Sequence, residues 1–220
     1  MKKYTYSIIL FSFFYFFSCV GNKPYLAPDG QILANQHEII AILPPSIFFE
    51  GGKKLSFQES QLKKEQDSRL FQEEIYNYLL KRKSKGQMFV NIQDVQETNV
   101  LLSKNELELS KMTNNEICTF LDVDALLTSQ FTVEQPDPIW FRIFIMLISG
   151  EFNWWDDNRD IEISLGLKDC SQHSLIWKYD DITSGGTSTF VVNELMRRAS
   201  KKMPYFIKYL KIYFFKLINN

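Results

Sequence analysis

The chain has 220 residues, 45% of them hydrophobic, and a formal net charge of -1 with no basic block. That balance supplies ample core for one domain and argues against the electrostatic footprint of a nucleic-acid binder. With 3 cysteines and 2 histidines, neither a disulfide framework nor a histidine-rich metal centre is expected.

The first element is an export signal. Met1-Lys2-Lys3 is a positive start, Ser7 to Phe17 is almost wholly apolar, and Ser18 places a small residue directly before Cys19. The run is short for a bilayer-spanning helix. It resembles a bacterial lipoprotein signal, and the resemblance implies cleavage after Ser18 and lipidation of Cys19. Phe16 and Phe17 depart from that pattern, which usually has a smaller aliphatic pair there. Residues 1–18 are therefore read as signal peptide, 19–38 as a lipidated tether rich in turn formers (Pro24, Pro28, Gly30), 39–204 as the folded domain and 205–220 as an apolar and basic tail.

Within the domain, Ile39 to Leu43 is a continuous apolar run stopped by Pro44-Pro45, the pattern of a strand buried on both faces. Phe71, Ile75, Tyr78 and Leu79 make one helical stripe, with Lys81, Arg82 and Lys83 in its last turn and Gly86 as its stop. Alternation at 88, 90 and 92 predicts a second strand, and Thr98-Asn99 is expected to cap a short helical turn at Val100-Leu101-Leu102. Thr113 and Glu116 form a capping box for a helix ending near Asp122. Strands are then predicted at 126–133, 161–168 and 175–179, the last two as an antiparallel hairpin. A final helix carries Val192, Leu195, Met196, Ala199 and Met203 on its apolar side and is interrupted by Pro204. Helices and strands alternate early and strands cluster late. The expected fold is a single α/β (α+β) domain with a mixed sheet of about five strands packed by helices.

Several of these stretches together resemble a family of bacterial lipoproteins: Ile40-Ala41-Ile42-Leu43-Pro44-Pro45, Thr98-Asn99-Val100-Leu101-Leu102, Leu121 to Leu127, Leu175-Ile176-Trp177-Lys178-Tyr179, and Leu195 to Tyr205. These lipoproteins are similar to the outer-membrane lipoprotein activator of penicillin-binding proteins (LpoB-like) and, more distantly, to the periplasmic domain of the curli-secretion channel (CsgG-like). The resemblance implies a fold akin to the N-terminal domain of the Tol-system protein TolB and a non-catalytic envelope role. It transfers no active site, and Trp177 is read as core.

No constellation in the sequence supports an enzyme or a cofactor. His37 and His173 lack metal or triad spacing with the cysteines and are read as surface residues. Asp156, Asp157, Asn158 and Asp160 lack the glycine and terminal glutamate of a calcium loop. Ser184-Gly185-Gly186-Thr187 lacks the phosphate-loop pattern, and Ser200 stands without companion motifs. Whether Cys118 and Cys170 pair is left open; an oxidising compartment permits one bridge, and two separate cysteines is the simpler reading.

Two apolar excesses remain. Ile139 to Ile148 has Arg142 as its one polar residue, and Trp154-Trp155 follows. Tyr205 to Ile218 places Lys208, Lys211 and Lys216 in one arc, as in an interfacial helix. Trp140, Phe141, Phe144, Trp154, Trp155, Phe206 and Phe214 are accordingly candidate membrane or partner contacts. The expected protein is a lipid-anchored periplasmic accessory lipoprotein, outer membrane favoured, that binds and positions cell-envelope machinery as a monomer or homo-oligomer. The rival is an oligomeric subunit of a secretion or transport complex.

Overall fold

A seven-stranded mixed sheet carries the residues that this computed structural model describes, namely 22–50, 57–104, 112–134, 160–184 and 188–207. In chain order the elements are β1 (Tyr25–Leu26), α1 (Gly30–Ala34), β2 (Ile39–Ile42), β3 (Ser46–Glu50), α2 (Phe57–Ser84), β4 (Asn91–Ile92), α3 (Val95–Lys104), α4 (Asn114–Leu121), β5 (Ala125–Glu134), β6 (Asp160–Asp169), β7 (Leu175–Ser184) and α5 (Ser188–Ala199), followed by a 3-10 turn at Ser200–Lys202. The sheet runs β1-β7-β6-β5-β2-β4, with β3 also paired to β5. β2 is parallel to β4 and β5, whereas β5, β6, β7 and β1 are successively antiparallel.

The fold class is the expected mixed α/β arrangement, with more strands than expected. β2 ends at Ile42, just before Pro44-Pro45 as expected, but the sheet does not stop there. β2 pairs with β5 from Ile40↔Ala125 to Ile42↔Leu127, and β3 resumes on the same edge from Ser46↔Gln130 to Glu50↔Glu134. The β2–β3 side uses one more residue than β5 across the break, a bulge that accommodates two residues lacking an N–H. The Ile42 carbonyl there is taken by the buried Gln72 amide at 2.8 Å, and Gln72 also exchanges hydrogen bonds with Asn99. This one side chain joins α2, α3 and the strand break.

The other unexpected strand is β1. Its two residues are too few to show a period, yet they pair with β7 through Tyr25↔Lys178 and Leu26↔Trp177. α1 then packs Leu33 and Ala34 into the core. Residues 25–34, expected as tether, are thus part of the folded body. Gly30 is required at this join: a Cβ there would lie 2.7 Å from the Ile176 carbonyl oxygen and 3.0 Å from Leu26 Cδ1. The Ile176 oxygen cannot retreat freely, because it accepts the Ala27 N–H at 2.9 Å.

One sheet face is covered by α2 and α5. Phe71, Ile75 and Leu79 from α2 meet Val192, Leu195, Met196 and Ala199 from α5 over Leu127, Phe131, Leu165 and Trp177, all fully buried. Phe71 and Phe131 pack at a 4.5 Å centroid distance, a contact worth roughly 1 kcal/mol beyond area burial. Trp177 is core as expected, and its Nε1–H is satisfied by the Lys202 carbonyl at 2.9 Å. Leu175, at the start of β7, is exposed, where the β6–β7 register shifts at Leu167/Lys168. The opposite face carries α3 and α4 over Ala41 and Leu126.

Helix ends follow local chemistry. Gly86 adopts φ 66, and the Gly86 and Gln87 N–H groups close back on Lys83 and Arg82 carbonyls to end α2. The capping box at Thr113 and Glu116 is complete, and Asp122 ends α4 in the left-handed region at φ 54. α3 starts earlier than Thr98-Asn99: Asp94 Oδ1 accepts the Gln96 and Glu97 N–H groups, while Thr98 is buried within the helix and donates to Gln93. The alternation over 88–95 yields only the two-residue β4, plus an isolated bridge between Met88 and Phe206.

Candidate functional site

A cavity of about 460 Å³ opens where the start of β2, the end of α4, the start of β5 and the β6–β7 turn converge. Its wall is polar. His37, Asp122, Asp124 and Asp169 line it, together with the Cys118–Cys170 disulfide. The disulfide answers the question the sequence left open, and it clips α4 to the end of β6 across a separation of 52 residues.

His37 is not the surface residue that was expected. It is 6% exposed, and both ring nitrogens are engaged: Nε2 lies 2.7 Å from Asp169 Oδ1 and Nδ1 lies 2.6 Å from the Tyr205 hydroxyl. An ionised carboxylate only accepts, so Nε2–H donates to Asp169, and in the neutral ring Nδ1 accepts the Tyr205 O–H. Burial pushes the Asp169 carboxyl upward, but hydrogen bonds from the Gln172 N–H, His37 and Ser171 outweigh it and hold the group below the ordinary 3.8. The Tyr205 hydroxyl is pushed up by burial and by the charges of Asp169 and Asp124. This chain of three groups fastens the segment before β2, the end of β6 and the residues after α5 to one another.

Asp124 is bonded through its carboxylate, and Asp122 acts through its backbone. Asp124 Oδ2 accepts the N–H groups of Glu38 at 2.7 Å and Ile39 at 2.9 Å, and Asp122 serves as the α4 cap. His173 does not join the cavity; it stands exposed in the β6–β7 turn at φ 58. Among the described residues no group of three His, Cys, Asp or Glu is placed to hold a metal ion. Chemically, the site offers hydrogen-bonded positioning of its own backbone, since the His37 nitrogens, both Asp169 oxygens and Asp124 Oδ2 are occupied from within the chain.

A second cluster of long-range hydrogen bonds gathers around Asn22, ahead of β1. Asn22 Nδ2 donates to the Asp180 carbonyl at 3.1 Å and to Asp181 Oδ1 at 3.4 Å, and Lys202 Nζ donates to the Asn22 carbonyl. Asp181 is itself held by Arg198 Nε at 2.7 Å and by the Tyr179 hydroxyl at 2.5 Å. Burial acts to raise Asp181, and the hydrogen bonds from Tyr179 and Arg198 prevail and lower it.

Of the candidate contact residues, Phe206 is half-buried, bridges to Met88, and lies 5.7 Å beneath the Arg82 guanidinium. It is a packing residue at the edge of the body. Cys19, Trp140, Phe141, Phe144, Trp154, Trp155 and Phe214 lie outside the described residues. Among the described residues no helix is long and apolar enough to cross a membrane.

The fold and these two regions define a class: a disulfide-clipped mixed α/β domain whose N-terminal segment is bonded to one sheet edge. No family model matches the chain, and no curated protein matches it. Among solved structures it is similar to the lipoprotein GNA1162 from Neisseria meningitidis, at 8% identity over 75% of this chain and 96% of that one, with a TM-score of 0.40. It is also similar to the PelC dodecamer from Paraburkholderia phytofirmans (9% identity, 77% and 89% of the two chains, TM-score 0.35). A third is the LpoB C-terminal domain from Salmonella enterica (9% identity, 66% and 82%, TM-score 0.34). Identities this low carry no function across.

Proposed function

We propose that this chain is a lipid-anchored accessory protein of the bacterial cell envelope, acylated at Cys19 with its domain in the periplasm, outer membrane favoured. It binds and positions envelope machinery through protein contacts and catalyses no reaction. The observation that carries this reading is the Cys118–Cys170 disulfide, which agrees with the export-type pattern read at residues 1–19. Disulfides persist in oxidising compartments and are rare in the bacterial cytosol. Anchoring supplies the mechanism: confinement at a membrane raises the effective concentration of the domain near its partners without any new contact.

The test is expression of the full chain in a Gram-negative host with radiolabelled palmitate, followed by membrane fractionation and thiol trapping. Label on the wild type, its loss in Cys19→Ser, and no trappable thiol at positions 118 and 170 are expected. An unlabelled wild type, or free thiols at both positions, would overturn the reading. The rival reading, a subunit of an envelope secretion or transport complex, calls for a stable ring in native mass measurement in detergent. A monomer or a small oligomer removes it. In the native envelope, crosslinking to an identified envelope complex supports positioning, and crosslinks to lipid alone would count against it.

A further inference from the structure

We propose that the β1 edge of the sheet, with Tyr25, Leu26 and the adjoining Ile32, is a bilayer-contact surface that sets this edge of the domain against the membrane. This rests on acylation of Cys19, and it replaces the long tether expected over residues 19–38 with a very short one.

The argument begins with reach. The body holds its N-terminal segment from Asn22, through hydrogen bonds to β7 and from Lys202, and continues directly into β1 on β7. Only three residue steps separate Asn22 from Cys19, and at ~3.6 Å per step the chain spans at most about 11 Å. The headgroup zone of one leaflet is itself on the order of 5–8 Å thick. An acyl chain in the hydrocarbon therefore brings Asn22 to the membrane surface, and β1 begins three residues later.

What that edge presents suits a lipid surface. Tyr25, Leu26 and Ile32 are 53%, 43% and 64% exposed; as successive strand residues Tyr25 and Leu26 flank the edge on its two faces, and Ile32 is on the adjoining α1. Tyrosine favours the water–hydrocarbon boundary, where its ring and hydroxyl meet different solvents. The group is also rigid in its seat: Gly30 lies tight against the Ile176 carbonyl, and Leu33 and Ala34 anchor α1 in the core. Charge is mixed. Lys178 is paired to Asp180 at 3.0 Å, Lys202 donates to the Asn22 carbonyl, and Lys23 and Asp29 flank β1 in the sequence. The contact is accordingly apolar in character, and it should differ little between zwitterionic and anionic bilayers. An added apolar contact also meets a general need, since one acyl chain anchors only marginally.

The sheet provides an internal control. β3 stands at the opposite side of β5, four strand spacings from β1, or roughly 19 Å. Its Phe48 is 47% exposed, so apolarity alone does not separate it from the β1 group. The test uses the full chain purified from the envelope with the disulfide intact, in phosphatidylcholine vesicles and in vesicles containing phosphatidylglycerol. Single cysteines at Tyr25→Cys, Ile32→Cys and Phe48→Cys carry a fluorophore, and headgroup-nitroxide lipid quenches it. Quenching at 25 and 32 at least about threefold above that at 48, alike in both vesicles, is expected for sites ~19 Å apart. Equal quenching at all three sites, or stronger quenching at 48, would overturn the docking edge. A ten-residue Gly-Ser insertion after Cys19 separates docking from mere tethering: quenching at 32 persists if the edge itself binds, and a fall to the level of 48 refutes it. Mass measurement of Cys19 in the same preparation distinguishes the failures. An unacylated Cys19 sinks the functional reading, whereas an acylated, vesicle-bound chain with unquenched probes sinks the edge alone.

Discussion

Replacing both disulfide cysteines, Cys118→Ala with Cys170→Ala, should destabilise the domain substantially. The bond closes a loop across 52 residues that includes β5, β6 and the chain between them. In the chain-entropy account a loop of that length is worth about 4 kcal/mol. For a chain of this size, each kcal/mol moves Tm by about 2–4 °C, so the expected loss is about 8–16 °C. Cys118 is buried beside Leu121, so a small packing loss adds to the entropic one. The assay is thermal unfolding of the full chain in mild detergent, followed by circular dichroism, for wild type, double variant, and wild type with reductant. Reduced wild type should fall close to the double variant. A double variant melting within about 2 °C of oxidised wild type would refute the reasoning, because the bond would then be constraining a loop that is already ordered when unfolded.

Gly30→Ala places a methyl group 2.7 Å from a backbone oxygen that is already pinned, and should cost roughly 1–3 kcal/mol by forcing α1 off β7; an unchanged urea midpoint would show that α1 is not seated there. Asp169 has a folded pKa below its ordinary 3.8, so its stabilisation is present above that value and is lost as pH falls through the lower folded one. Asp169→Asn should therefore cost about 2 kcal/mol at pH 7 and show a shallower loss between pH 5 and pH 2 than wild type; parallel pH profiles in urea titrations would contradict the role assigned to the carboxylate.

What the residues determine locally was legible. The capping box at Thr113 and Glu116 delimits α4, and Gly86 ends α2, because both act over three or four positions. The 161–168 alternation and the turn after it define the β6–β7 hairpin, since each strand shows one face to the core and one to solvent. The apolar stripe of α5 was equally plain. Sheet membership of β1 was not, because two residues have no period and their pairing with β7 depends on a carbonyl that only tertiary packing places beside Gly30. β3 was hidden by Pro44-Pro45, whose missing N–H groups signal a stop locally but cost only a bulge once Gln72 covers Ile42. The same limit applies to the site. His37, Asp169 and Tyr205 are separated by 132 and 168 positions from His37 outward, and Cys118 and Cys170 by 52, so no spacing rule connects them. The sequence alone determined the locally encoded helices and strands and the candidate acylation site; the folded sheet decided that β1 and β3 join it and that the chain is pinned at Asn22. Hydrogen bonds between residues far apart in the chain are what convert an expected tether into a sheet edge.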